Sequence, residues 1–220
     1  MAEITLLRHG KSLWNELNLF TGWVDVPLHE DGIKEAQNAG EKIKNKKIDV
    51  VFTSTLIRAQ MTATIALLKH DSKKVPILLK LDPKENSPHF ADSETKTTLP
   101  VYCAHQLNER MYGELQGLNK DQTISRYGIE QVKLWRRSFS TRPPGGESLE
   151  DTLKRTLPYF NSEIVPYLER EQNVLIVAHG NSLRSIVMKI EQLNEKDILE
   201  KEIPTGVPFS YQYKKGQFLC

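Results

Sequence analysis

Two stretches of the sequence place a histidine where an apolar run gives way to a glycine. Arg8-His9-Gly10-Lys11-Ser12 follows Ile4, Leu6 and Leu7, and His179-Gly180-Asn181-Ser182 follows the continuous run from Val174 to Ala178. A guanidinium offers paired donors to phosphate oxygens and a neutral imidazole attacks phosphorus, so the first stretch has the makings of a phosphate-handling site with a nucleophile in it. Taken alone, it reads equally well as a satisfied histidine ending a strand beside a solvated arginine. The second copy weighs against that, because only His9 and His179 among the six histidines follow such a run and precede a glycine. Parallel strand ends bring such imidazoles together at the carboxyl edge, where open α/β sheets bind ligands. Gly10 is expected to permit a sharp turn there.

The elements that must position these groups follow from the apolar pattern. Val50-Val51-Phe52 reads as a second buried strand, and Thr53-Ser54-Thr55 as turn and cap groups before a helix from about Leu56 to Leu68. Arg58 falls in that helix's first turn, where the helix dipole disfavours a cation unless an anion is bound, so it is a candidate phosphate clamp. Leu107 to Lys120, with Glu109, Tyr112 and the glycines 113 and 117, reads as a bent loop. A carboxylate on such a loop is expected to be desolvated enough to exchange protons near neutral pH. Between Trp14 and Trp23 a packed aromatic loop is expected, with Asn15, Thr21 and Gly22 as its ligand candidates. The helix opening at Asp31-Gly32 carries Ile33, Ala36, Gly40 and Ile43 at helical spacing and serves packing.

From Lys69 to Gln106 the pattern weakens, and the segment reads as a long surface excursion. Val75 to Leu81 has strand character, Asp82 to Pro88 is turn-rich, and His70, His89 and His105 read as solvated residues, not metal ligands. Phe209 to Tyr213 is the last expected strand, and Lys214 to Cys220 a short tail.

The 220 residues suit one domain, residues 1–220. Lys and Arg number 30 against 28 Asp and Glu, mixed along the chain, for a net charge of +2. That gives nucleic-acid binding little support. Cys103 and Cys220 make no disulfide framework or structural zinc site, the amino terminus lacks a secretory pattern, and no apolar run approaches a membrane span. A cytoplasmic protein without membrane partners is expected.

At Arg8-His9-Gly10 and Ala178-His179-Gly180 the chain resembles the histidine phosphatase superfamily. The block Leu107 to Lys120, together with Phe20 to Asp25, Trp135-Arg136-Arg137, Gly146-Glu147-Ser148-Leu149, Ala178 to Arg184 and Ile203 to Pro208, is similar to the cofactor-dependent phosphoglycerate mutases within it. The resemblance implies a three-layer α/β/α sandwich with a mostly parallel sheet. It implies that His9 carries a phosphoryl group, that Glu109 gives and takes a proton, and that His179 stabilises the group in transfer. Arg8 and Arg58 match the phosphate clamps, with Ser12, Asn15, Thr21, Gly22, Gly180 and Asn181 completing the cradle. Tyr112, Lys120, Arg136 and Arg137 match positions that hold the substrate's distal carboxylate and phosphate, and Arg110 is a further binding candidate in the same block. The implied reaction interconverts the small phosphorylated three-carbon acids 2-phosphoglycerate and 3-phosphoglycerate, primed by 2,3-bisphosphoglycerate and without a metal, in a homo-oligomer expected to be a dimer.

Lys11 is expected to add charge beside the phosphate, and the tail after the last strand to act as a short lid. A phosphomonoester phosphatase of the same superfamily needs only the arginine and histidine core. A dinucleotide-binding module is disfavoured because no Gly-x-Gly-x-x-Gly or Gly-x-x-x-x-Gly-Lys-Ser/Thr pattern follows any strand.

Overall fold

The computed structural model describes residues 1–80 and 97–219. Their strands form one seven-stranded sheet, and numbered along the chain they lie in the order β3-β4-β2-β5-β1-β6-β7. The strands are β1 Ala2–Arg8, β2 Val50–Thr53, β3 Val75–Lys80, β4 Thr98–Cys103, β5 Val174–Ala178, β6 Phe209–Lys214 and β7 Gln217–Leu219. β1 to β5 run parallel, and β6 and β7 are antiparallel additions at one edge.

Alternation along the strands builds the layers. Leu7, Val51, Leu175 and Val177 face the helices α2 Glu30–Ile43 and α3 Ile57–Leu67, whereas Ile4, Leu6, Phe52 and Ile176 face the opposite helical layer. A side-chain period of two residues makes one strand feed both cores, so continuous apolar runs mark doubly covered strands. The opposite layer contains α6 Leu149–Tyr159, a π-helical turn Phe160–Ile164, α7 Val165–Glu169 and α8 Gly180–Ile190. α1 Leu13–Glu16 precedes α2; α4 Lys120–Tyr127 and α5 Ile129–Arg137 stand over the carboxyl edge on their own small core of Phe20, Leu115, Val132 and Trp135. α9 Glu195–Glu200 follows α8. The three-layer α/β architecture expected from the sequence is the one observed.

Four expectations are corrected. The excursion contains two strands of the sheet: Leu99, Val101 and Cys103 of β4 are buried between β2 and β3, although proline at 100 and alternating polar residues blur the pattern. Asp82 to Pro88, His89 and residues 92–96 lie outside the described residues. His70 is buried and bonded, with ring nitrogens 2.8 Å from Ser72 Oγ and 2.8 Å from the Lys46 carbonyl; His105 is exposed as expected. Gly10 has no positive φ. It is required because a Cβ there would stand 2.3 Å from the Gly32 carbonyl oxygen, while one on Gly32 would stand 2.0 Å from the Lys11 carbonyl oxygen. The two glycines thus let the loop after β1 lie against the first turn of α2.

The fourth correction concerns the tail. Residues 217–219 form β7, with Phe218 against Tyr213 and Phe160. In the sheet register Tyr213 pairs with Ala2, at the opposite end of β1 from His9. Six steps of strand separate the two levels by about 20 Å. This segment cannot cover the carboxyl edge from there.

Candidate active site

Register brings the two histidines together. Arg8 pairs with Ala178 across the parallel β1–β5 ladder, and the His9 amide continues it by donating to the Ala178 carbonyl at 2.9 Å. Both strands end at the same level, and the imidazole centroids are 4.9 Å apart. Nδ1 of His9 is 2.7 Å from the Gly10 carbonyl oxygen, a partner that can only accept, so the ring proton sits on Nδ1 and Nε2 carries the lone pair. Burial, and then the charges of Arg58 and Arg8, hold the His9 pKa well below 6.5. The ring is neutral at physiological pH, the form a nucleophile requires.

His179 caps the start of α8 and is completely buried. Its Nε2 lies 2.7 Å from Ser54 Oγ, and its Nδ1 is buried without a partner. Burial and the charge of Arg58 again lead the causes that keep it neutral. It does not line the cleft wall directly but stands behind it against the His9 ring.

The cleft has a volume of about 170 Å³ and is walled by cations. Arg8 donates through Nη1 to the Ile203 carbonyl at 2.8 Å, while its Nε is buried without a partner. Arg58 is buried in the first turn of α3 as expected, and donates to the Gly22 and Val24 carbonyls at 2.7 and 3.0 Å. Burial lowers its pKa to about 10, which leaves it charged. Gly180 lies between the Arg8 guanidinium and the Glu109 carboxylate, with the place of a Cβ 3.5 Å from the Arg8 guanidinium carbon and 3.7 Å from Glu109 Oε2.

Glu109 sits on the bent loop read from the sequence. Its Oε1 accepts from the amides of Arg110 and Asn181 at 2.8 and 3.1 Å and from Asn181 Nδ2 at 2.8 Å. Burial pushes its pKa up, but the Arg110 amide, Arg8, Asn181 and Arg58 together outweigh burial and hold it below 4.5. The expectation of a carboxyl poised near neutral pH is therefore corrected for the free enzyme: fixed donors and guanidiniums override desolvation.

Of the remaining sequence candidates, Asn15, Thr21, Gly22, Tyr112, Lys120, Arg136, Arg137 and Asn181 line the same cleft. Thr21 Oγ1 is buried there without a partner. Burial, then the charges of Arg136 and Arg8, lowers the Lys120 pKa to about 8. Ser12 and Arg110 do not line it. Ser12 is fully buried, its hydroxyl accepting from the Asn15 amide at 3.2 Å as the cap of α1. Arg110 lies behind the wall, donating to Tyr112 Oη at 3.0 Å and the Arg136 carbonyl at 2.8 Å. Lys11 turns away from the cleft to Glu16 and Asp31, so it adds no charge beside the phosphate position.

Two residues escaped the sequence reading. Arg184, one helical turn after Asn181, lines the cleft. Arg155 supports the Glu109 loop from α6: it donates to the carbonyls of Gln106, Asn108 and Glu109 at 2.8 to 3.0 Å and pairs with Glu147. For Arg184, the helical i, i+3 spacing to Asn181 was the available signal; Arg155 had none.

Ligand-capable atoms of His9, Glu109 and His179 all lie within 4.8 Å of one another. That grouping has the donors of a cation site, but the guanidiniums around it favour an anion, and the fixed dipoles and charges can stabilise a phosphoryl group in transfer.

Comparison with known proteins agrees with this geometry. The histidine phosphatase superfamily (branch 1) matches residues 4–83 and 90–219. The chain is 55% identical over 216 residues, 97% of its own length and 95% of the relative's, to a 2,3-bisphosphoglycerate-dependent phosphoglycerate mutase of Chlamydia pneumoniae. It is 50% identical to one of Protochlamydia amoebophila, covering 100% of this chain and 98% of that one. In fold it is similar to Bacillus stearothermophilus YhfR, with a TM-score of 0.76 at 21% identity, covering 100% of this chain and 95% of that one. It is also similar to an alpha-ribazole phosphatase of Shigella flexneri, with a TM-score of 0.75 at 21% identity over 98% and 93% of the two chains.

Proposed function

The chain belongs to the histidine phosphatase superfamily (branch 1), and from that premise we propose that it interconverts 2-phosphoglycerate and 3-phosphoglycerate through a phosphorylated His9. One observation carries the reading: Arg8 Nε and Thr21 Oγ1 are buried polar atoms without partners on residues that line a cleft walled by arginines and lysine, and His179 Nδ1 is a third, behind the wall. Buried polar groups are normally satisfied, so such a set fits a polyanionic ligand. 2,3-Bisphosphoglycerate, when bound, supplies the phosphoryl group that primes His9.

In this reading Nε2 of His9 forms the bond to phosphorus as the ester oxygen leaves, and Glu109 delivers the proton that oxygen needs. In the reverse transfer Glu109 removes the proton from the substrate hydroxyl as the phosphorus–nitrogen bond breaks. A carboxylate held below 4.5 in the free enzyme is first a base; bound phosphate offsets Arg8 and Arg58 and raises it toward the acid role. Arg8, Arg58 and His179 hold the equatorial oxygens, Asn15, Thr21, Gly22, Gly180 and Asn181 shape the cradle, and Tyr112, Lys120, Arg136 and Arg137 hold the distal groups. Arg110 acts through Tyr112 and Arg136, and Ser12 through the α1 cap.

The positive charge that phosphoryl transfer needs is present in these side chains, which supports a reaction without a metal ion. No helix among the described residues is long and apolar enough to cross a membrane. A cytoplasmic location is part of the proposal, supported by a sequence with only two cysteines, Cys103 and Cys220. So are a single domain over 1–220, supported by the one sheet, and a homodimer, supported by the exposed Val75 and Leu78 on edge strand β3. Conversion of 3-phosphoglycerate, assayed with and without added 2,3-bisphosphoglycerate in the presence of a chelator, tests the function. Turnover that needs the primer and survives the chelator is expected; turnover lost to the chelator overturns the metal-free mechanism.

A further inference from the structure

We propose that Arg184 is a further specificity-determining residue, one that receives the carboxylate of the glycerate on the Arg136 and Arg137 side of the cleft. The inference rests on the reading of the cleft as a phosphoglycerate site and adds a residue to it.

Arg184 and Asn181 share one face of α8, and the guanidinium is fixed on two sides. Its Nε donates to the Lys201 carbonyl at 2.9 Å and its Nη1 to Asn181 Oδ1 at 3.4 Å. Neither partner carries charge. Arg184 makes no ion pair among the described residues, and its half-buried side chain lines the cleft. The nearest carboxylate, Glu109, acts on it without contact and is itself taken up by Asn181 and the Arg110 amide, and a cation held out of water without a paired carboxylate is costly unless a ligand supplies the counter-charge.

Its place in the cleft selects which part of the ligand it meets. The guanidiniums whose charges bear on His9 are Arg58 and Arg8. Arg184 also lines a narrow recess with Arg136, Arg137 and Asn181, one that is not lined by His9, Arg8 or Arg58. After its own burial the charges it feels are Arg137 first, then Glu109 and Arg8. It therefore stands on the Arg136 and Arg137 side of the cleft. With both anchors on neutral acceptors, the planar fork still has donors to offer, and that geometry matches a carboxylate. Arg136 and Arg137 close the same side from α5.

Dissociation constants of 3-phosphoglycerate and glycerol 3-phosphate, measured by calorimetry on the full chain, test the assignment. The two ligands share a phosphate and a hydroxyl and differ in the carboxylate. Arg184→Ala is expected to weaken 3-phosphoglycerate roughly 10-fold to 150-fold, the worth of one charge-assisted contact, and to change glycerol 3-phosphate by less than about 2-fold. Arg184→Lys, which keeps the charge without the fork, is expected to lie between wild type and alanine. Equal weakening of both ligands, or none for 3-phosphoglycerate, overturns the assignment, and if the alanine variant does not fold the lysine variant decides by the same comparison. A wild-type enzyme that binds the two ligands equally and does not turn over 3-phosphoglycerate fails the proposed function instead.

Discussion

The Gly10 carbonyl oxygen lies 2.7 Å from Nδ1 of His9 and so decides which ring nitrogen keeps the lone pair. The acceptor holds the proton on Nδ1, and in the proposed function the lone pair on Nε2 is the one that attacks. His9→Ala is accordingly expected to abolish turnover and phosphoenzyme formation together. With labelled 2,3-bisphosphoglycerate, wild type should take up an acid-labile, alkali-stable label on Nε2. Label retained in the variant, or found on Nδ1, removes His9 from this role.

Glu109 is gripped by two amides and the Asn181 side chain, so replacing the carboxylate by an amide preserves its size but not its proton chemistry. Glu109→Gln is expected to lower kcat by roughly 100-fold to 10,000-fold, the range for a lost general acid or base, with affinity for inorganic phosphate changed far less. A rate within a few fold of wild type sends the proton elsewhere.

The pH profile should carry the imprint of Arg58. In the proposed function His9 acts when neutral, and its pKa is held well below 6.5 by burial and then by Arg58, so the acid limb of kcat/KM is expected well below pH 6.5. Arg58→Ala removes one cause that lowers both His9 and Glu109, and the limb should move upward in pH as the overall rate falls. A limb that stays in place means Arg58 does not act on either group.

Lys120 sets the alkaline side. Its pKa of about 8 means that the cation is present below that pH and lost above it in the free enzyme. The KM for 3-phosphoglycerate should rise as pH passes 8, and Lys120→Arg, which stays protonated, should flatten that rise. An alkaline limb unchanged in the arginine variant assigns it to another group.

Cutting the chain after Tyr213 removes β7 and the contacts of Phe218 with Phe160 and Tyr213. The expected result is a loss of about 1 to 2 kcal/mol of stability from the uncovered aromatic surface, read as a lower Tm, with the phosphoenzyme lifetime unchanged. A shortened lifetime at temperatures where the truncated protein is folded restores the lid.

The strands β1, β2 and β5, and the histidines that follow β1 and β5, are legible in the amino-acid sequence, because doubly buried parallel strands are continuous apolar runs that stand out from any other pattern. The sequence also marked Arg58, through the conflict between a cation and a helix N-terminus. Tertiary structure alone decided the rest. β4 alternates with half-exposed residues and contains Pro100, so nothing local announces that Leu99 and Val101 are core. Ser12 and Arg110 have the chemistry of ligands, and only the cap of α1 and the wall behind Tyr112 reveal that the Ser12 hydroxyl and Nη2 of Arg110 are already engaged. The pKa of Glu109 is lowered because Arg8, Arg58 and Asn181, distant along the chain, converge on one carboxylate. The ionisation of a buried group is a sum over everything packed around it, and that sum exists only once the chain has folded.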